Sequence, residues 1–302
     1  MSDQLIEAPK KKGRLFALIA VVVVVLLAAG FVATRGGDDQ KAIKIGVVGA
    51  SDPYWATYEK AAAKEGINVE IIDFTDYAQP NQALSEGELD LNQFQHIVYL
   101  AEYNVATKND LTAIGATAIY PLGLHSKKYS SVDDIKAGET VAVPNDESNQ
   151  ARGLLVLQSA GLITLKSGGS IFSDLSDVDV ASSKVKVKAL NAALTATSLE
   201  DLAAAIINND FVEKAGLKFS DAIAQDDPKD PNALPYVNIF AARSEDKDNK
   251  TYKKLVEIYQ NTKAVTDGAN KISGNTGIFL KTPVSDLEAS LKKVENDTVA
   301  QK

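Results

Sequence analysis

From residue 42 onward the chain alternates between short β-branched runs and stretches whose apolar residues recur every three or four positions. Residues 43–48 (IKIGVV), 69–74 (VEIIDF), 89–94, 111–118 and 140–143 (TVAV) read as strands. Residues 53–65, 80–87, 96–106 and 149–160 have helical spacing, with Gly66 and Gly161 closing the first and last of these. This order predicts an α/β fold built on a parallel, helix-flanked sheet. Beyond residue 165 the pattern loosens. Residues 166–170 (KSGGS) read as a turn, and 183–188 alternate polar and apolar like an edge strand. Residues 198–207 read as helical, 226–235 (DDPKDPNALP) as a loop with three prolines, and 236–241 (YVNIFA) as a strand. Amphipathic helices over 251–260 and 284–294 close the chain, and no internal repeat is evident. About 260 residues suit two α/β lobes. The Pro-rich loop before Tyr236 suggests a return crossing, which assigns 42–122 plus 236–302 to lobe 1 and 123–235 to lobe 2.

The first 39 residues do not share this pattern. Leu15 to Ala33 runs 19 residues without a charge, with five consecutive valines from Val21 to Val25. As a helix it would span roughly 28 Å, close to the hydrocarbon thickness of a bilayer. Lys10, Lys11, Lys12 and Arg14 precede it, and Arg35, Asp38 and Asp39 follow it. The positive-inside rule then predicts a cytoplasmic segment 1–14, a membrane helix 15–33, a tether 34–41 and an extracytoplasmic body. A cleaved signal peptide is the competing reading. Its apolar core usually runs only ~7–15 residues, and Gly30-Phe31-Val32-Ala33 makes a poor cleavage site.

Composition narrows the chemistry. With 45% hydrophobic and 24% charged residues, the chain is neither wholly disordered nor a polytopic membrane protein. Cysteine is absent, which excludes disulfides, thiolate metal sites, a Cys nucleophile and a lipid-bearing Cys. Residues 40–302 keep 27 of the 32 basic and 36 of the 40 acidic side chains, a net charge of −9. An acidic body argues against nucleic acid as a partner and against lying flat on anionic lipid. The two histidines, His96 and His125, leave little room for acid–base relays or a His-rich metal site. No nucleophile elbow, zinc-protease, phosphate-loop or dinucleotide motif is present. Ser183 and Lys186 fall in S-x-x-K register without the companion motifs, and 244–250 and 226–232 lack the Gly and Glu of a calcium loop. No cofactor is expected.

Three features could hold a ligand. In 144–157 (PNDESNQARGLLVL), Ser148 or Asn149 suits a helix N-cap and Arg152 falls in the first turn. A cation there opposes the helix dipole unless it shares an anion with the free N–H groups. The alternative is a solvated Arg152, or one paired with Asp146 or Glu147. The second feature is aromatic. Tyr77 lies in FTDYAQPNQAL, and Phe94, His96 and Tyr99 in NQFQHIVYL, about the end of a strand, where α/β folds bind ligands. Packing in the core or at its rim would account for the same rings. Third, Asn208 and Asn238 sit in apolar surroundings, where an amide must bond either backbone or a polar ligand.

Taken together, KIGVVGA, FTDYAQPNQALSEGELDLNQFQHIVYL, TAIYPLGLHSKK, VAVPNDESNQARGLLVLQSAGLI, AAAIINNDF and LPYVNIFAAR resemble the methionine-binding substrate proteins of ABC importers, the NlpA lipoprotein family. The resemblance keeps its order over about residues 42–300. It implies a two-lobed periplasmic-binding-protein fold of type II character with an amino acid clamped between the lobes, and no enzymatic activity. By motif, Arg152 would hold the α-carboxylate with Asn149 beside it, and Asn208 and Asn238 would bond the zwitterion's polar atoms. Tyr77, Phe94, His96 and Tyr99 would line the side-chain pocket, where a thioether gains roughly 0.3–1.5 kcal/mol per ring contact. The implied ligand is methionine (L- or D-) or a methionyl dipeptide, and the implied partners are an ABC permease with its cytoplasmic ATPase. Two departures stand out. Phe31 occupies the place of the family's lipidated Cys, so the helix itself would be the anchor. Ser51 to Lys60 (SDPYWATYEK), with the only Trp, Trp55, matches no family pattern. A receptor for another small amino acid or an organic anion, or a membrane-anchored sensory ectodomain, would also fit the residues.

Overall fold

The computed structural model describes residues 41–301. The predicted segments 1–14 and 15–33 and nearly all of the tether 34–41 lie outside the described residues. No helix among the described residues is long and apolar enough to cross a membrane.

Two five-stranded sheets organise the body. The first has the order β2-β1-β3-β11-β4, from β1 (Ile43–Val48), β2 (Val69–Phe74), β3 (Leu91–His96), β4 (Thr112–Ala116) and β11 (Asn238–Ala242). Helices α1 (Pro53–Lys64), α2 (Pro80–Ser85) and α3 (Ile97–Thr107) make its connections. Pro53 and Pro80 open the first two, where a missing N–H costs nothing. β1 pairs parallel with β2 and β3, but β11 runs antiparallel between β3 and β4. The sheet is therefore mixed, a correction to the expected parallel sheet. A strand arriving from more than a hundred residues downstream can enter in either direction, and local periodicity carries no sign of which. The predicted strand 111–118 is divided: β5 (Ala118–Ile119) leaves the first sheet to pair with β12 (Ile278–Phe279).

The second sheet has the order β10-β6-β9-β7-β8. Its strands are β6 (Gly123–His125), β7 (Thr140–Pro144), β8 (Lys186–Leu190), β9 (Ala204–Ile207) and β10 (Ala224–Gln225). β8 and β9 flank β7 in parallel, while β6 and β10 are antiparallel to their neighbours. Residues 204–207 are thus a central strand and not the end of the predicted helix 198–207. Ala-Ala-Ile-Ile is buried throughout and bonded on both edges, and a strand covered on both faces loses the alternation that would mark it. Helix α4 (Glu147–Ser159) follows β7 and packs on this sheet through Gly153, where a Cβ would meet Ile206 and Val143 at 3.3 Å. Two short helices flank β9, α5 (Ala192–Thr195) before it and α6 (Asn209–Val212) after it.

Helices α7 (Lys250–Asn261), α8 (Lys263–Ile272) and α9 (Val284–Gln301) complete the body. α7 and α1 enclose an aromatic core of Trp55, Tyr58, Phe240 and Tyr259 with ring centroids 5.4–6.3 Å apart. A separate apolar cluster joins the sheets: Val48 and Phe94 from the first meet Ala142 and Ile207 of the second and Phe211 of α6. The space beside that cluster is the site.

Candidate functional site

A cavity of about 300 Å³ opens between the two sheets. Arg152, Asn149, Asn208, Asn238, Tyr77, Phe94, His96 and Tyr99 all line it, so side chains spread over 162 positions of sequence converge on one space.

Helix α4 carries the polar wall. Its N-cap is Asp146, whose carboxylate accepts from the Asn149 amide at 3.0 Å, in place of the predicted Ser148 or Asn149. With the helix beginning at Glu147, Arg152 belongs to its second turn, not its first, so the expected conflict with the helix dipole does not arise. Nor does Arg152 pair with Asp146 or Glu147. Its Nε donates to Asp226 at 2.6 Å and its Nη2 to the Tyr120 carbonyl at 2.8 Å, while the Tyr236 ring lies 4.4 Å from the guanidinium carbon. The side chain is buried and its orientation is held from three sides. Nη1 has no acceptor among the described residues. Asp226 occupies the Nε edge of the fork, which leaves the Nη1 end unengaged.

Asn149 is a hub and not a free ligand group. Its Nδ2 donates to Asp146 at 2.8 Å, and its Oδ1 accepts from Asn208 Nδ2 at 2.9 Å and faces His96 Nε2 at 3.4 Å. His96 ends β3 and caps α3, accepting at Nδ1 from the Tyr99 amide. That bond puts the ring proton on Nε2, facing Asn149. Burial, reinforced by the Arg152 charge, pushes the His96 pKa down to about 3, so the ring is neutral and serves as a wall. Asn238 opens β11 directly opposite His96, and its carbonyl accepts from the Thr117 amide. Asn208 ends β9, where its side chain declines the capping bond that its position offers and leaves Oδ1 buried without a partner.

The aromatic wall is a contiguous set. Tyr77, Phe94 and Tyr99 have centroids 5.7–6.2 Å apart, and His96 lies 6.4 Å from Tyr99. Asn81, Asn92 and Gln95 form a buried amide network with bonds of 2.6–2.9 Å, tying the start of α2 to β3. Tyr99 Oη donates to the Tyr77 carbonyl at 2.8 Å, and Tyr77 Oη donates across the cavity to Asp210 at 2.7 Å.

Several residues here escaped the sequence reading. Asp226 opens the Pro-rich loop, where nothing local marks it, and its pairing with Arg152 spans 74 positions. Tyr236, Tyr120 and Asn209 carried no local signal. Asp210 did: a carboxylate three residues after a wholly apolar strand is out of place unless something receives it. Trp55, Tyr54, Asp52 and Ser51 bring the unmatched 51–60 segment to the cavity.

A sequence model of the family described as NlpA lipoprotein matches residues 43–278. The D-methionine-binding lipoprotein MetQ of Salmonella typhi is 38% identical over 269 residues, covering 86% of this chain and 96% of that protein. Among solved structures, a nutrient-binding protein from Burkholderia cenocepacia bound to methionine is 38% identical with a TM-score of 0.73, covering 79% of this chain and 99% of that one. Protein PG110 from Staphylococcus aureus is 34% identical with a TM-score of 0.79, covering 83% of this chain and 99% of that one.

Proposed function

Since this chain belongs to the NlpA lipoprotein family, we propose that it is the extracytoplasmic substrate-binding protein of an ABC importer and that it captures methionine. The observation that carries this reading is the buried Arg152, its Nη1 unengaged, on the wall of a cavity that also holds a contiguous set of rings. A small zwitterion with an apolar, polarisable tail matches both: its carboxylate on the guanidinium, its thioether among Tyr77, Phe94, His96 and Tyr99. Asn208 and Asn238 supply amide groups to the charged end, and Asn149 orients Asn208. The similarity to proteins named for binding methionine supports the same ligand.

In this reading residues 42–122 plus 236–302 and residues 123–235 act as two lobes that close on the ligand. Closure is favoured by the ligand's higher affinity for the closed form. His96 with Asn149 and Tyr77 with Asp210 are among the polar contacts that join the two lobes. The chain performs no covalent step; it hands its ligand to a permease driven by a cytoplasmic ATPase. Residues 15–33 anchor it as a single membrane helix, with 1–14 cytoplasmic and 34–41 as tether.

Calorimetry tests the ligand. L- or D-methionine should bind at micromolar strength or better, and Arg152→Ala should weaken it by more than about tenfold, the loss of a charge-assisted hydrogen bond. Because alanine also strands Asp226, Arg152→Lys is the companion variant: it keeps a charge beside Asp226 but loses the fork. Wild-type protein indifferent to methionine, or an Arg152→Ala variant that binds it equally well, would discard the reading. Mass spectrometry of ligand carried through native purification would separate methionine from a methionyl dipeptide, another amino acid or an organic anion.

A further inference from the structure

The cavity is not neutral. Asp52, Asp210 and Glu213 line it against Arg152 and Lys214, so its wall carries three carboxylates and two cations. Arg152 is already paired with Asp226. The remaining carboxylates gather near the end of β1. A Cβ built on Gly49 would lie 3.1 Å from Asp52 Oδ2 and 3.3 Å from Lys214 Nζ, and Tyr77 ties Asp210 to the opposite wall. Lys214 does not neutralise this group by contact. It makes no ion pair among the described residues and sits 5.7 Å from the centroid of the Phe211 ring.

A second, independent observation lies beside the acids. Asn208 is only 8% exposed and lines the cavity, yet its Oδ1 has no donor. Asn209, the next residue, also lines the cavity with a buried, unpartnered Oδ1. A buried acceptor without a donor is destabilising, and native proteins rarely leave one unfilled. These two oxygens lie next to Asp210, a carboxylate that accepts from Tyr77 but makes no ion pair among the described residues, and together they suit a donor carrying positive charge.

We propose that Asp210 is the counter-charge for the ligand's ammonium group, with Asn208 Oδ1 and Asn209 Oδ1 accepting the remaining N–H bonds. Asp210 is thereby a specificity residue that selects ligands with a free amine. The electrostatics agree. Burial raises the Asp210 pKa to about 6, partly offset by the Tyr77 hydroxyl and the Lys214 charge, while Asp52 raises it further. A cation seated beside it would relieve that strain on the ionised form. Tyr54 and Tyr120, the other titratable groups in its field, stay neutral because burial raises both well above the usual phenol range.

The inference rests on the proposed capture of a zwitterionic amino acid, and its test separates the two. Calorimetry compares methionine with N-acetylmethionine, which keeps the carboxylate and thioether but has no ammonium, on wild type, Asp210→Asn and Asp210→Glu. Asparagine keeps an acceptor for the Tyr77 hydroxyl and removes only the charge. Wild type should prefer methionine. Asp210→Asn should narrow that preference by about tenfold or more, the scale of a charge-assisted bond, with the loss confined to methionine. Asp210→Glu, which keeps the charge at this position, should retain more of the wild-type preference than Asp210→Asn. Equal weakening of both ligands in Asp210→Asn would overturn the inference, since that is the signature of a purely structural role. So would a preference that narrows as far in Asp210→Glu. If wild type takes up no methionine, the functional reading fails and the inference with it.

Discussion

Arg152 shows how far a single side chain's role depends on what surrounds it. Read alone, it is a cation near a helix start; in the fold it is buried, with Asp226 and the Tyr120 carbonyl taking two of its nitrogens. One nitrogen, Nη1, is left unengaged among the described residues, in an orientation already fixed, so a partner meeting it there would cost little side-chain entropy. His96 was legible as a pocket residue because its flanking rings sit at the end of a strand, where ligands collect. Its protonation state was not legible, since burial sets it. With the pKa pushed down to about 3, its imidazole NMR resonances should stay constant between about pH 5 and 8, where an ordinary histidine titrates. A His96 signal titrating near 6.5 would contradict the buried geometry.

Among the elements, most strands and helices before residue 161 were legible from short β-branched runs or helical spacing, although β6 was not. Helix α8, over Lys263–Ile272, was not anticipated, and β9 was mistaken for the end of a helix. Both identities depend on neighbours distant in sequence. Tight contacts between elements were equally hidden. Gly115 on β4 lets α7 approach so closely that a Cβ would lie within 3.1 Å of three Val256 side-chain carbons. Gly115→Ala should destabilise the protein by about 1–3 kcal/mol through overpacking, measured by urea denaturation. Val256→Ala in the same chain should recover part of the loss; if the two costs simply add, the contact is not the cause. At the other sheet, Asp146→Ala removes the α4 cap and the Asn149 anchor together, and should cost about 1–2 kcal/mol as well as ligand affinity.

For the molecule as a whole, the junction of α3 with α4 sets a pH dependence. Glu102 on α3 is almost fully buried facing the start of α4. Burial pushes its pKa up to about 8, with the charges of Glu147 and Asp146 adding to the rise and Ser148 opposing it. The folded state therefore binds a proton that the unfolded chain releases near the ordinary value of 4.5. Sign follows from linkage: this contribution is fully present below 4.5 and is lost progressively as pH rises to about 8. Glu102→Gln should flatten the decline in thermal midpoint over that window. An unchanged slope would place the titration elsewhere.

The order of most strands and helices, the acidic body, the family and the eight residues around the cavity were all determined by the sequence alone. Each depends on a local period, a composition or a short motif, and these survive without coordinates. The tertiary structure alone decided that β11 enters antiparallel between β3 and β4, that 204–207 is a central strand, that Asp226 takes one edge of Arg152, and that Asp210, Asn208 and Asn209 share a wall. The physical reason is common to all four. Hydrophobic periodicity reports how a segment meets an average interior, whereas the partner of a strand edge or a buried charge is chosen from anywhere in the chain by distance and desolvation.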